Sequence, residues 1–395
     1  MTSPLLIISA LTVPLSALLY QFYAAPFITS LGVFRTIHPV NPEWFTSNCQ
    51  TNSERQNCEK IVLHQESGLV YMACASIEQR WRWLNGMPEQ APAAGDITHL
   101  AIYDPATQST RRVTLDGFDM SRTIIFHGMD VVPDESGAAV YIYLVHHRMP
   151  VEGTPMALGY YDSAIEVFES KVGSTNAKHL HTFSRNNVLL TPNDVVGSND
   201  GKSVYFTNDG SKAAPRRGGS LGHLLSDLFA PSLTVGYCHS VDGCKVALGG
   251  LTSPNGIATS GNGTLYIASS LVSGLLVTQR LDDNTLARIE TIPTEQATDN
   301  LSVDGDGAIW GAGLPRLLPD CQSAFDNITF PVPHWTVKAH LNQVSTPGNK
   351  YNVQKVVEDD GHKLRFITTV AYDSKRSKLY IHGLSTPYLT VCDYS

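Results

Sequence analysis

One pattern recurs six times along this chain and limits what it can fold into. Two alternating apolar runs flank a turn of Gly, Asp, Asn or Ser. The copies are CEKIVLHQESGLVYMAC from Cys58, FHGMDVVPDESGAAVYIYLVHH from Phe126 and PNDVVGSNDGKSVYFTND from Pro192. They continue as PNGIATSGNGTLYIASS from Pro254, DNLSVDGDGAIWGAG from Asp299 and ITTVAYDSKRSKLYIHGL from Ile367. Each copy carries the signal of a β-hairpin. Further strand-like segments lie between copies, such as THLAIYDPATQSTRRVTL and SGLLVTQRLDDNTLARIE. Four short strands per repeat and about six repeats predict an all-β fold, a six-bladed β-propeller over residues 40–395.

Composition agrees. Charged residues are only 16% of the chain, and there are 31 glycines and 22 prolines. That mixture suits short strands and tight turns. The net charge of -8, with no basic stripe, gives no support to a nucleic-acid partner. Helical periodicity is almost absent. The exception is LGHLLSDLFA, Leu221 to Ala230, which reads as a short amphipathic lid helix after the loose stretch Gly210 to Gly219.

The first 34 residues carry no charge, and Pro4 to Tyr23 is a nearly unbroken apolar run. Residues 1–35 therefore read as a signal anchor or transmembrane segment. Pro14 would kink such a helix without excluding a span. Cleavage near Ala24 or Ala25 is the competing reading, although no basic n-region precedes it. Both send the rest of the chain into the secretory pathway, membrane-anchored or secreted.

Seven cysteines fit that compartment. Cys238 and Cys244 sit close enough to staple a hairpin. Cys49 and Cys392 lie near the two ends of the globular part, which a ring-shaped fold would bring together. The pairing of Cys58, Cys74 and Cys321 stays open, and an odd total leaves at least one thiol over. Sequons fall at Asn262, Asn300 and Asn327, of which Asn262 and Asn327 are the glycosylation candidates.

The repeat also carries chemistry. Five copies open on a polar residue: Glu59, His127, Asn193, Asn255 and Asn300, at steps of 68, 66, 62 and 45 residues. Equivalent positions in a propeller face the shared axis. Glu59, Asn193, Asn255 and Asn300, with Asp299 beside the last, then offer five hard oxygens and two negative charges. Calcium takes about 6 to 8 such ligands, whereas zinc favours nitrogen and sulfur. A single Asn at a strand start would be an ordinary turn residue. Matched positions in five copies call for more. The sixth copy reads as lacking the polar residue.

The ordered set FHGMDVV, LVHH, TPNDVVGSNDGKSVYFTND, SPNGI and TDNLSVD resembles the paraoxonase/arylesterase family, over roughly Cys49 to Cys392. The resemblance implies a six-bladed propeller holding calcium in its tunnel. It implies hydrolysis of lactones, aryl esters or, in some members, organophosphates. Its catalytic-calcium ligands fall on Glu59, Asn193, Asn255, Asp299 and Asn300. Its histidine pair falls on His127 and His147, and its ring-closing disulfide on Cys49 and Cys392. One position departs. Lys60 stands where the family has an Asp that binds a second, structural calcium together with residues matching Asp194 and the Met129 carbonyl. The expectation is one calcium, with Lys60 paired to Asp194 in place of the second.

The expected chemistry is calcium-dependent hydrolysis of a small lactone or aryl ester. His127 would be the general base, His147 the relay and Asp299 a rival nucleophile or base. The alternative is a calcium-binding propeller acting without hydrolysis, as an isomerase or binding protein in secondary metabolism. GGSLG, Gly218 to Gly222, matches a serine-nucleophile elbow at Ser220, but no strand signal precedes it. Substrate identity and oligomeric state are not legible from these residues.

Overall fold

The computed structural model describes residues 4–32, 34–52, 54, 57–85, 98–121, 124–148, 162–210, 231–317, 320–342 and 350–395. The expected lid helix at 221–230 and the GGSLG segment lie outside the described residues. The fold is all-β and propeller-like. Twenty-four described strands, β1 to β24, group as six four-stranded units. Three are consecutive meanders: β10–β13 (Pro192 to Leu251), β14–β17 (Pro254 to Ile292) and β18–β21 (Ala297 to Asp359). Two more, β2–β5 (Asn57 to Asp116) and β6–β9 (Ile124 to Ser184), are joined by a short parallel pairing of β5 with β9.

The last unit closes the ring. Strands β22 (Ile367–Asp373), β23 (Lys378–Gly383) and β24 (Thr390–Asp393) take their fourth strand from the other end of the domain, β1 (Cys49–Thr51). Cys49 lies opposite Cys392 in that pairing, and the two form a disulfide across 343 residues. Covalent closure at this point removes much chain entropy from the unfolded state. Two further disulfides are local: Cys58–Cys74 across β2 and β3, and Cys238–Cys244 across β12 and β13. Three disulfides suit an oxidising, extracellular-type compartment.

The innermost strands β2, β6, β10, β14, β18 and β22 stand side by side, and the last returns to the first. Each of the six seams between units has its own apolar cluster. Phe126 and Leu144 pack on Tyr71 and Leu100, and Trp310 packs on Val370 and Leu379. Period-2 alternation sends one side chain into a seam and the next toward the neighbouring seam, so both faces of each sheet are buried.

Short helices cap the structure. Helix α1 (Pro4–Leu19) passes through a π-helical turn (Tyr20–Ala24) into α2 (Ala25–Leu31), so the apolar run is helical as expected. It differs in length, because α1 has only 16 residues, about 24 Å at the usual rise. Among the described residues no helix is long and apolar enough to cross a membrane. Val13, Leu15, Leu18 and Leu19 are exposed. Phe27 packs on a cluster that includes Leu84, Leu317 and Phe366, and Leu317 donates its amide to Ser30 O at 3.3 Å. Helices α3 (Pro42–Asn48), α4 (Ile77–Leu84) and α5 (Asp320–Asp326) complete the described helical elements.

Candidate functional site

All six innermost strands break register near their start. The ladder skips Glu59 in β2, His127 and Gly128 in β6, and Asn193 and Asp194 in β10. It skips Asn255 and Gly256 in β14, Asp299 and Asn300 in β18, and Thr368 in β22. A bulge frees a residue from the ladder and re-aims its side chain. The five polar residues singled out from sequence therefore occupy one equivalent bulge, repeated round the axis. The sixth copy departs from expectation: it does carry a polar residue there. Thr368 is buried and donates its hydroxyl to the Glu59 carbonyl at 2.9 Å. A short hydroxyl in a β-branched run left no signal in the sequence.

The strands are close at this level. A Cβ at Gly128 would lie 2.2 Å from the Asn193 carbonyl oxygen, and one at Gly256 would lie 2.5 Å from that of Asp299. The glycine after the polar residue in FHG and PNG is what lets one inner strand touch the next.

The side chains converge. Asn300 Nδ2 donates to Glu59 Oε1 at 2.6 Å, across 241 residues. Asn193 Nδ2 donates to Asp209 Oδ2 and to His127 Nε2, each at 3.1 Å. These partners orient the amides. Glu59 and Asp209 can only accept from them, so each amide turns its NH2 toward a carboxylate and its oxygen away. Four buried oxygens at this level have no hydrogen-bond donor: Glu59 Oε2, Asn193 Oδ1, Asn255 Oδ1 and Asn300 Oδ1. Buried acceptors left unmet are costly. Four of them, all on residues of the expected ligand set, are what a hard cation would satisfy. Asp299 sits beside them, partly buried. Among the described residues no three His, Cys, Asp or Glu side chains gather as a metal-binding group. The donor set here is instead mostly amide oxygen, which suits calcium rather than zinc.

His127 and His147 are both buried, with ring centroids 5.3 Å apart. His147 Nδ1 lies 2.8 Å from Ser163 Oγ. Burial, reinforced by His127, holds the His147 imidazole well below the ordinary histidine range. The preceding His146 points to the opposite face, as strand alternation requires, and its Nε2 lies 2.7 Å from Glu166 Oε1.

Sequence reasoning missed three residues besides Thr368. Arg80 on α4 is fully buried, donates to Phe126 O at 2.8 Å and faces His127 Nδ1 at 3.4 Å. Asp209 ends β11's hairpin and braces Asn193. His382, paired with Thr369 in β23, is buried beside Arg80's field. None opens a repeat copy, so no periodicity pointed to them. Burial raises the Glu59 carboxyl above its ordinary range, against the pull of the Arg80 charge and the Asn300 amide.

Below this ring, Lys60 Nζ lies 2.6 Å from Asp194 Oδ2 and 3.1 Å from Leu301 O. Met129 lines the same axial cavity as Lys60, about 150 Å³ in volume. Asp130, also there, is pushed up to about 6 by burial. Asn262 and Asn327 are exposed, while the Asn300 sequon is buried.

The arylesterase family model matches residues 73–386. The chain belongs to the arylesterase family. The match covers His127, His147 and every amide of the ring, while Glu59 lies ahead of it. Membership gives this arylesterase-family chain a coarse assignment as an esterase- or lactonase-type hydrolase. No curated protein matches it. Among solved structures it is similar to the major allergen Mala s 1 of Malassezia sympodialis, at 10% identity and TM-score 0.50, over 87% of this chain and 95% of that one. It is similar also to XC5397 of Xanthomonas campestris, described as a gluconolactonase, at 14% identity and TM-score 0.47, over 91% and 95%.

Proposed function

We propose that this protein is a calcium-dependent hydrolase of lactones or aryl esters, with its active site at the bulge ring. The observation that carries the reading is the set of four buried, unpartnered oxygens on Glu59, Asn193, Asn255 and Asn300. With Asp299, these residues would hold one calcium. When bound, the ion supplies Lewis-acid polarisation of the scissile carbonyl or phosphoryl oxygen.

The chain's own residues do the rest. His127 is the base that takes a proton from the attacking water, and His147, its ring centroid 5.3 Å away, is the relay that passes the proton onward. Ser163 fixes the His147 ring. Asp209 and Glu59 hold the Asn193 and Asn300 amides in register. Thr368 ties the sixth inner strand to the Glu59 carbonyl and so holds that ligand's backbone in place. Lys60 supplies a fixed positive charge where the family has a second cation, so Asp194 is neutralised internally. The exposed apolar face of α1 supports a membrane anchor for the N-terminal segment. Carbonate extraction of the full chain tests that: release into the supernatant would refute it.

The deciding experiment is turnover of phenyl acetate and a set of γ- and δ-lactones, after chelation and after calcium is restored. Loss on chelation and recovery with calcium, but not magnesium, is expected. Turnover indifferent to chelation would overturn the metal assignment, and no turnover on any ester or lactone would overturn hydrolysis.

A further inference from the structure

Arg80 has no place in the repeat and no role in the reading above, yet it is fully buried at the site. Its Nη2 donates to the Phe126 carbonyl at 2.8 Å, the residue just before His127, and Nη1 faces His127 Nδ1 at 3.4 Å. Its Nε has no partner, although it is out of reach of solvent. The charge acts on Glu59 and Asp299, both in the expected ligand set. Burial pushes the guanidinium down to about 10, so it stays cationic at neutral pH. A buried arginine is retained where its fixed planar fork can meet several groups at once. This one holds the strand start beside the base, and its charge reaches the two carboxylates through space.

We propose that Arg80 is a positioning residue that clamps His127 through the Phe126 carbonyl and weakens cation binding by opposing the charge of the metal. The inference rests on the calcium reading. The buried Arg80 charge acts through space on Glu59 and Asp299, the two carboxylates the ion would also draw on, so the ring is partly compensated before the ion arrives. The expense of burying two carboxylates is reduced, and the ion is held less tightly than five oxygens alone would hold it. The same guanidinium fixes the strand start that carries His127, which a lysine's single ammonium cannot do at two points.

The test uses the full chain with Arg80→Met and Arg80→Lys, calcium titrated by calorimetry, and phenyl acetate turnover at saturating calcium. Arg80→Met is expected to bind calcium roughly three- to tenfold more tightly, the scale of removing one like charge from a shielded site. Its kcat falls while KM is little changed. Arg80→Lys keeps wild-type calcium affinity but recovers only part of kcat. A purely structural arginine would instead give weaker calcium binding in Arg80→Met, and that result, or unchanged affinity, overturns the proposal. If Arg80→Met does not fold, Arg80→Lys decides: wild-type affinity with reduced kcat supports the clamp, and wild-type kcat refutes it. A wild-type protein with no calcium isotherm sinks the calcium reading and this inference together, whereas a normal wild-type isotherm with indifferent variants sinks only this one.

Discussion

The Lys60 ammonium and the Asp194 carboxylate meet at 2.6 Å on the propeller axis, and neither side chain is exposed beyond 4%. Asp194 Oδ2 also accepts the Ile257 amide at 3.0 Å, and Lys60 also donates to Leu301 O. One ion pair thus ties four of the six innermost strands, β2, β10, β14 and β18. Lys60→Met leaves Asp194 buried without its counter-charge, and urea unfolding should show a loss of about 3–5 kcal/mol. Pairing Lys60→Met with Asp194→Leu should recover most of that. Lys60→Asp turns the ammonium into a carboxylate, and its midpoint should rise with added calcium more steeply than that of the wild type.

The orphaned oxygens predict a graded response to ligand removal. Asn255→Ala and Asn300→Ala each delete one acceptor, so calcium affinity by calorimetry should drop by at least about tenfold, the scale of losing a well-placed ligand contact. Asn300→Ala should do more damage, because it also strips Glu59 Oε1 of its donor. Chelation should lower the melting temperature of the wild type and barely move that of a variant carrying both Asn255→Ala and Asn300→Ala.

Gly128→Ala puts a methyl 2.2 Å from the Asn193 carbonyl oxygen, where backbone and not a flexible side chain must yield. Overpacking of this kind costs about 1–3 kcal/mol or more. The two strands forced apart carry His127 on β6 and Asn193 on β10, so turnover should fall further than stability alone accounts for. Gly137→Ala is the control: its surroundings are open, its turn needs φ of 72°, and only a modest stability loss with normal turnover is expected.

Acid should destabilise the protein through its buried neutral histidines. Burial lowers His334 to about 4 and His382 to about 3, from an ordinary value of 6.5. Between those values the unfolded chain binds protons that the folded chain refuses, so stability rises with pH through this window. The melting temperature should climb from pH 4 to about 6.5 and then flatten. His334→Gln should make the climb shallower. A melting temperature constant over that range would contradict the assignment of these imidazoles as buried and neutral.

Breaking the Cys49–Cys392 bond by substituting both with serine should cost about 2–5 kcal/mol. Because β1 then holds the ring by backbone hydrogen bonds alone, hydrogen exchange should accelerate first in β1 and β24 and last in β10 to β13.

Much of the fold was legible because a repeat states the same instruction several times. Alternation set the hairpins, the turn glycines set their ends, and the spacing of Glu59, His127, Asn193, Asn255 and Asn300 marked equivalent points on successive units. Cys49 and Cys392 at the two ends read as a closure. Thr368 escaped because a threonine in a strand is unremarkable in sequence. Arg80 and Asp209 escaped because they reach the axis from outside the repeat's leading position. The single long apolar helix expected at the N-terminus is instead α1, a π-helical turn and α2, a local hydrogen-bonding choice that hydropathy does not encode.

The sequence by itself determined the element type, the number of units and the residue types offered to the axis, since these depend on period and side-chain chemistry that any local window contains. Only the tertiary structure decided which way each amide turns, which oxygens are left without donors and which charges sit beside them. Those are settled by contacts across 241 residues between Glu59 and Asn300, or 134 between Lys60 and Asp194, and such contacts exist only once the ring has closed.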